Sequence, residues 1–101
     1  MKVKVSNPMY KAIKNALPSY KITLEKLTPE QYERNIDFDL FRNTSDYSYK
    51  TGLFSVIKIT YPAEYYAMPR YITTRDLTAV FRNSDKTFTS FIEELKSYIA
   101  I

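Results

Sequence analysis

Leu53-Phe-Ser-Val-Ile-Lys-Ile-Thr-Tyr61 is the longest run of residues that favour β-strands, and it follows Gly52, the one glycine of the chain. Successive side chains of a strand point to opposite faces of a sheet. One face then carries Leu53, Ile57, Ile59 and Tyr61, and the other carries Phe54 and Val56 before it turns polar at Lys58 and Thr60. Because the run begins apolar on both faces, we predict a central strand that is covered on both sides there.

Two strands and a helix are predicted in the first quarter of the chain. Alternating lysine and valine predict a short strand at Lys2–Val5, and alternation over residues 20–25 predicts a half-buried one. Between them Asn7 is placed to cap a helix, with Pro8 at its first position. Pro18 is expected to end that helix, since the residue before a proline disfavours helical geometry.

A second, short helix is predicted by the clearest local signal in the chain. Thr28 is placed as its N-cap, Pro29 at its first position, and Gln31 three residues after the cap. By Ile36–Leu40 the apolar spacing has changed to two, which predicts another strand. The alternation at residues 47–50 predicts a further short strand. These two strands and the central strand, joined by short turns, are predicted to form an antiparallel meander.

The C-terminal part is predicted to be a loop, an edge strand and two helices. Prolines bracket a loop at residues 62–69, and Arg70–Thr73 is expected to add a short strand. Thr73 or Thr74 is placed to cap one helix, and residues 83–85 to end it and cap the next. The last helix carries an apolar stripe at helical spacing, formed by Phe88, Phe91, Ile92, Leu95 and Ile99.

These patterns predict a single α+β domain over residues 1–101. Its sheet is mainly antiparallel, centred on residues 53–61, and covered on one face by the N-terminal helix and the C-terminal helix pair. A chain of 101 residues, 45% apolar and 26% charged, is long enough to bury a core without cross-links.

Several classes of function are disfavoured by composition. The chain has no cysteine and no histidine, so it lacks thiolate ligands, the commonest metal ligand and the usual general base near neutral pH. No phosphate-binding glycine loop or nucleophile motif is present. Asp37 and Asp39 share one face of a predicted strand, but alternating acids opposite an apolar face are ordinary solvent-facing residues. We therefore expect no enzyme, cofactor or metal site.

No apolar run approaches the length of a membrane span, and the N-terminus lacks the apolar core of a signal peptide. We therefore expect a cytoplasmic protein that does not contact a membrane. Richness in lysine, isoleucine, asparagine and tyrosine with a single glycine is typical of an AT-rich gene. Small proteins of phages and mobile elements often have such a composition.

The positive charge is concentrated at the N-terminus, where the first 26 residues carry six lysines and one acid. Five of these lysines are expected to point outward, and they form the candidate lysine patch: Lys2, Lys4, Lys11, Lys14 and Lys21. If the first strand, helix and second strand pack as a unit, the patch suits a phosphate backbone or an acidic protein surface. The alternative is a solvated face, as on any soluble domain.

The segment Tyr61–Tyr71, called the tyrosine loop below, holds four tyrosines, a methionine and an arginine in eleven residues. This is the composition of interface hot spots, and two prolines lower the entropy that binding would cost. The candidate contact residues are Tyr61, Tyr65, Tyr66, Met68, Arg70 and Tyr71. In the alternative interpretation the tyrosines fold back over the sheet edge.

The two C-terminal helices have the spacing of a helix-turn-helix. The second helix, however, is expected to present glutamates and serines outward, and carboxylates repel phosphate. A hairpin packed on the sheet fits better.

We therefore expect a small non-catalytic protein-binding module or inhibitor, of phage or mobile-element origin, that contacts its protein partner through the tyrosine loop and adjacent basic surface. The alternative is a nucleic-acid-binding protein that uses the lysine patch.

Overall fold

A four-stranded antiparallel sheet and four α-helices make up the part of the chain that the computed structural model describes, residues 3–35 and 47–100. The helices are α1 (Asn7–Ala16), α2 (Pro29–Asn35), α3 (Thr74–Asn83) and α4 (Phe88–Ile99). The strands are β1 (Lys21–Leu27), β2 (Tyr47–Ser48), β3 (Leu53–Thr60) and β4 (Arg70–Ile72). The predicted α+β class is confirmed. The strand expected at Ile36–Leu40, with Asp37 and Asp39, lies outside the described residues.

Strand β3 is the centre of the sheet, as predicted. Along one edge it pairs with β1, from Lys21 opposite Thr60 to Leu27 opposite Phe54. Along the other edge it pairs with β2 near its start and with β4 near its end. Gly52, with φ of +70°, makes the turn that leads into β3, and a left-handed backbone of this kind favours glycine.

The main core lies on one face of the sheet, under three helices. Ile22, Ile57, Ile59 and Ile72 contribute from the strands, and residues of α1, α3 and α4 cover them. The stripe predicted for the last helix is buried at Phe91, Ile92, Leu95 and Ile99, whereas Phe88 is exposed. The helices expected to cover one face of the sheet therefore do so.

A second, smaller core covers the start of β3 on the opposite face. Phe54 and Val56 pack there with Leu27 and with Tyr32 of α2. The rings of Tyr32 and Phe54 lie 4.2 Å apart between centroids. Both faces of β3 are therefore covered, but not both at its start as predicted: Leu53 is only half-buried there, and the main core covers its face further along, at Ile57 and Ile59.

The N-terminal segment differs from the prediction, because residues 3–5 form no strand. The N–H of Val3 donates to Oγ1 of Thr78 at 3.0 Å, and the N–H of Val5 donates to Oγ1 of Thr74 at 2.9 Å. The segment therefore runs along α3 rather than along the sheet. Alternating lysine and valine suit any extended segment with one buried side, and Val3 is buried against helices.

Two of the predicted helix caps are displaced. Ser6, not Asn7, caps α1 and accepts from the N–H of Met9 at 3.3 Å. Thr87, rather than a residue of 83–85, caps α4 and accepts from the N–H of Ser90 at 3.1 Å. Each true cap is a hydroxyl residue close to the one expected, so propensity alone does not separate the candidates.

The cap predicted for α2 is confirmed. Oγ1 of Thr28 accepts from the N–H of Gln31 at 3.3 Å, and Oε1 of Gln31 accepts from the N–H of Thr28 at 3.0 Å. This reciprocal pair forms a capping box that satisfies two backbone donors.

Replacing Thr28 with alanine is expected to lower the free energy of unfolding by about 1 kcal/mol, because the N–H of Gln31 loses its acceptor. Urea denaturation of Thr28→Ala measures this effect. Thr89→Ala is the control, because Thr89 is an exposed threonine in α4 that does not cap a helix. Equal midpoints for the two variants would mean that the cap does not hold α2.

Candidate binding surface

The tyrosine loop connects the end of β3 to β4. A 3₁₀ turn spans Ala63–Tyr65, and Tyr66 follows it in the left-handed region with φ of +51°. A tyrosine there is uncommon, since its Cβ crowds the backbone. Such backbone strain is found more often at ligand-binding segments than elsewhere.

Both ends of the loop are fastened to the C-terminal end of α4. The hydroxyl of Tyr61 donates to the carbonyl of Ile99 at 2.7 Å. The guanidinium of Arg70 donates to the carbonyl of Tyr98 at 2.9 Å and lies 4.5 Å from the centroid of its ring. The cation of Arg70 and the hydroxyl donor of Tyr61 complement the negative end of a helix. The loop is therefore held at its base.

The tip of the loop presents three large side chains to solvent. Tyr66 is 96% exposed, Met68 85% and Tyr65 53%. Tyr65 and Tyr66 are adjacent and only Ala67 separates Tyr66 from Met68, so the three side chains belong to one short stretch. We call Tyr65, Tyr66 and Met68 the loop tip.

The six candidate contact residues therefore divide into two groups. Tyr65, Tyr66 and Met68 are available for contact. Tyr61 and Arg70 are half-buried and bonded to α4. Tyr71 is half-buried too, and it packs against the smaller core on the opposite face of the sheet. Arg70 therefore supports the loop, although arginine is a residue type common in interface hot spots and was predicted to contact a partner.

A polar cluster behind the loop was not predicted from the sequence. The hydroxyl of Tyr98 donates to Oδ1 of Asp76, whose other oxygen accepts from the N–H of Thr73 at 2.9 Å. Together with Arg70, this cluster ties β4, α3 and α4 to one another. Burial raises the pKa of the Tyr98 phenol, the Asp76 carboxylate raises it further, and Arg70 opposes both. No sequence pattern pairs residues that lie 22 positions apart.

Alkaline pH is expected to destabilise the fold partly through Tyr98. Because its pKa in the folded state lies above that of the unfolded chain, the contribution is fully present below about pH 10. At higher pH the unfolded chain releases the proton first, so stability falls. Urea midpoints measured from neutral pH to about pH 11 should therefore fall more steeply for the natural chain than for Tyr98→Phe. Parallel curves would contradict this role.

The lysines are distributed over several elements. Lys4, Lys11, Lys14 and Lys21 are all exposed, and Lys2 lies outside the described residues. By the pairing register Lys21 shares a face with Val56, whereas α1 packs on the face that carries Ile57. Lys21 therefore points away from the helix layer that carries Lys11 and Lys14.

Among the side chains that the structure describes, those of residues 3–32, 34 and 47–100, the one ion pair joins Lys96 to Glu93 at 3.3 Å. The four exposed lysines thus have no carboxylate within 4 Å in that part of the chain. The same residues contain no cluster of three or more side chains suited to hold a metal, and no helix long and apolar enough to cross a bilayer.

In the α3–α4 hairpin, α4 buries its apolar stripe in the main core, together with residues of the sheet and of α3. Glu93, Glu94 and Ser97 lie on the side that is exposed or half-exposed. A packed hairpin was the preferred interpretation of this pair over a DNA-reading helix-turn-helix, and the burial agrees with it.

No protein-family model matches the chain, and no curated protein or solved structure matches it either.

Proposed function

We propose that the chain is a small non-catalytic protein-binding module or inhibitor, and that it contacts its protein partner through the loop tip. The single observation that carries this proposal is Tyr66, which is 96% exposed in a left-handed backbone while both ends of its loop are fixed to α4. Exposure of one large apolar side chain is ordinary. Three together on a strained, anchored loop are not.

Anchoring matters because binding has to offset the entropy of ordering the contact residues. The bonds from Tyr61 and Arg70 to α4 restrict the loop before any partner arrives. A tyrosine has only two rotatable side-chain angles and a large apolar ring, so it supplies contact area at a low entropy cost. The loop tip therefore has the properties of a preorganised anchor.

Basic surface adjoins the loop at Lys21. This lysine lies opposite Thr60 in the sheet, and the ring of its neighbour Tyr20 meets that of Tyr61 edge to face at 5.8 Å. A stable interface covers roughly 800 Å² on each partner, more than three side chains provide. We include Lys21 as a rim residue that favours an acidic partner surface.

Affinity capture from a lysate of the native host tests the proposal. Tyr49 supplies a matched control, because it is 92% exposed and lies in the turn at the other end of β3. We expect the natural chain and Tyr49→Ala to retain the same protein, and Tyr66→Ala to lose it. Equal retention by all three would contradict a contact at the loop tip.

A nucleic-acid-binding function remains the second candidate, supported by the outer face of α1. Lys11 and Lys14 are one turn apart there, exposed, and α1 contains no acidic residue. A surface of this kind attracts phosphate. That the protein acts in the cytoplasm, and that it comes from a phage or mobile element, stay predictions.

A further inference from the structure

A groove of about 540 Å³ opens between the N-terminal segment, the start of α1 and the turn that joins α3 to α4. Its apolar wall is formed by Val3, Met9, Phe81, Phe88 and Phe91, and its polar rim by Lys4, Ser6, Lys86 and Thr87. The volume falls in the range of pockets that hold small molecules, and a mostly apolar wall with few polar groups is typical of them.

This groove is distinct from the tyrosine loop. Phe88 is the first residue of α4, whereas the tyrosine loop is bonded to Tyr98 and Ile99 at the C-terminal end of this helix. Phe88 and Tyr98 are ten positions apart in the helix, which corresponds to about 15 Å along the axis.

The two lysines at the rim differ in what they can bind. The ammonium of Lys86 donates to the carbonyls of Phe81, Arg82 and Ser84 at 3.0, 2.7 and 3.0 Å. These bonds use its three donors to cap the end of α3. Lys4 is exposed, and no carboxylate in the described part of the chain lies within 4 Å of it. Lys4 is therefore the cation with donors to spare.

The start of α1 adds positive potential on the same side. Ser6, which caps α1, lines the groove, and the first turn of this helix holds no acidic residue. The start of α4 is different, because Asp85 accepts from the N–H and the hydroxyl of Thr87. That bonding lowers the pKa of Asp85. No described residue that lines the groove is acidic.

We propose that the groove binds an amphipathic anion, a molecule with an aliphatic chain and a carboxylate head. The aliphatic chain of the ligand lies over Phe81, Phe88 and Phe91 and covers the exposed ring of Phe88. The head lies at the rim, beside the ammonium of Lys4 and the start of α1. The observation that carries this assignment is an apolar groove whose described lining contains no acidic residue and contains Lys4, an ammonium that no described carboxylate pairs with.

The protein is titrated calorimetrically with decanoate and with decanol, both below their aggregation limits. The two ligands share an aliphatic chain and differ in the carboxylate head, so the contributions of chain and head are measured separately. The natural protein is expected to bind decanoate about twofold to fivefold more tightly than decanol. Lys4→Ala is expected to lose this preference and to keep its affinity for decanol. Lys11→Ala, whose lysine lies on α1 outside the groove, is the matched control and should behave as the natural chain.

Phe88→Ala is expected to weaken the binding of both ligands, since it removes apolar wall without changing charge. Phe88 is 53% exposed, so this variant should remain folded. Tyr66→Ala is expected to bind decanoate normally, which separates this site from the loop tip.

Three results would overturn the proposal. The first is that neither ligand binds the natural chain. The second is that Lys4→Ala and Lys11→Ala reduce decanoate binding equally, which would indicate attraction to net charge only. The third is that sedimentation of the free protein shows a dimer that Phe88→Ala dissociates, because the groove would then be occupied by a second copy.

Discussion

Leu95→Ala is expected to lower the free energy of unfolding by about 2–5 kcal/mol. Leu95 is fully buried in the main core, where it lies in the middle of the apolar stripe of α4. Removing most of its side chain takes away buried apolar area and leaves a cavity between α4 and its neighbours. Ile57 and Ile59 of the sheet are fully buried in the same core, and close packing of such residues limits how far the site can collapse.

Urea denaturation measures this effect, with Ser97→Ala as the control because Ser97 lies on the exposed side of the same helix. Serine-to-alanine exchange on an exposed helical face changes stability by only a few tenths of a kcal/mol. A midpoint for Leu95→Ala equal to that of Ser97→Ala would show that α4 is not packed on the sheet.

Tyr66→Ala is expected to weaken binding of the partner at least tenfold, equivalent to about 1.4 kcal/mol or more. Truncation removes the most exposed ring of the loop tip. The fold should be unaffected, because a side chain that is 96% exposed contributes little to the core. Binding to the purified partner measures the loss, and Tyr49→Ala again serves as the control.

Tyr66→Gly sharpens this experiment, because Tyr66 has a positive φ. Glycine adopts that backbone without the crowding of a Cβ. We expect this variant to be at least as stable as the natural chain and to bind as poorly as Tyr66→Ala. Loss of stability together with binding would instead indicate that Tyr66 supports the loop rather than the contact.

The features predicted correctly from sequence are those set by local patterns. The period of two in β3 identified the centre of the sheet and both of its faces. The spacing of Phe91 and Leu95 identified the buried side of α4, and Thr28 with Gln31 identified a capping box. Each depends on side chains a few residues apart.

The features that escaped prediction depend on contacts between distant residues. Val3 bonds to Thr78 of α3, so its segment follows a helix although its alternation equally suits a strand. Arginine is a residue type common in interfaces, yet the guanidinium of Arg70 is held by the carbonyl and the ring of Tyr98. The groove likewise depends on how the N-terminal segment meets the α3–α4 turn.

The affinity of the captured partner at low and high salt, for Tyr66→Ala and for the double variant Lys11→Ala/Lys14→Ala, is the most direct test of a contact at the loop tip. We expect Tyr66→Ala to lose at least tenfold at both salt concentrations. The lysine variant should only slow association at low salt through the loss of net positive charge, because the proposed rim residue is Lys21 and not Lys11 or Lys14. The contradicting result is the reverse order. The lysine variant would then dominate and flatten the dependence of log affinity on log salt by about two units, as loss of two phosphate contacts would.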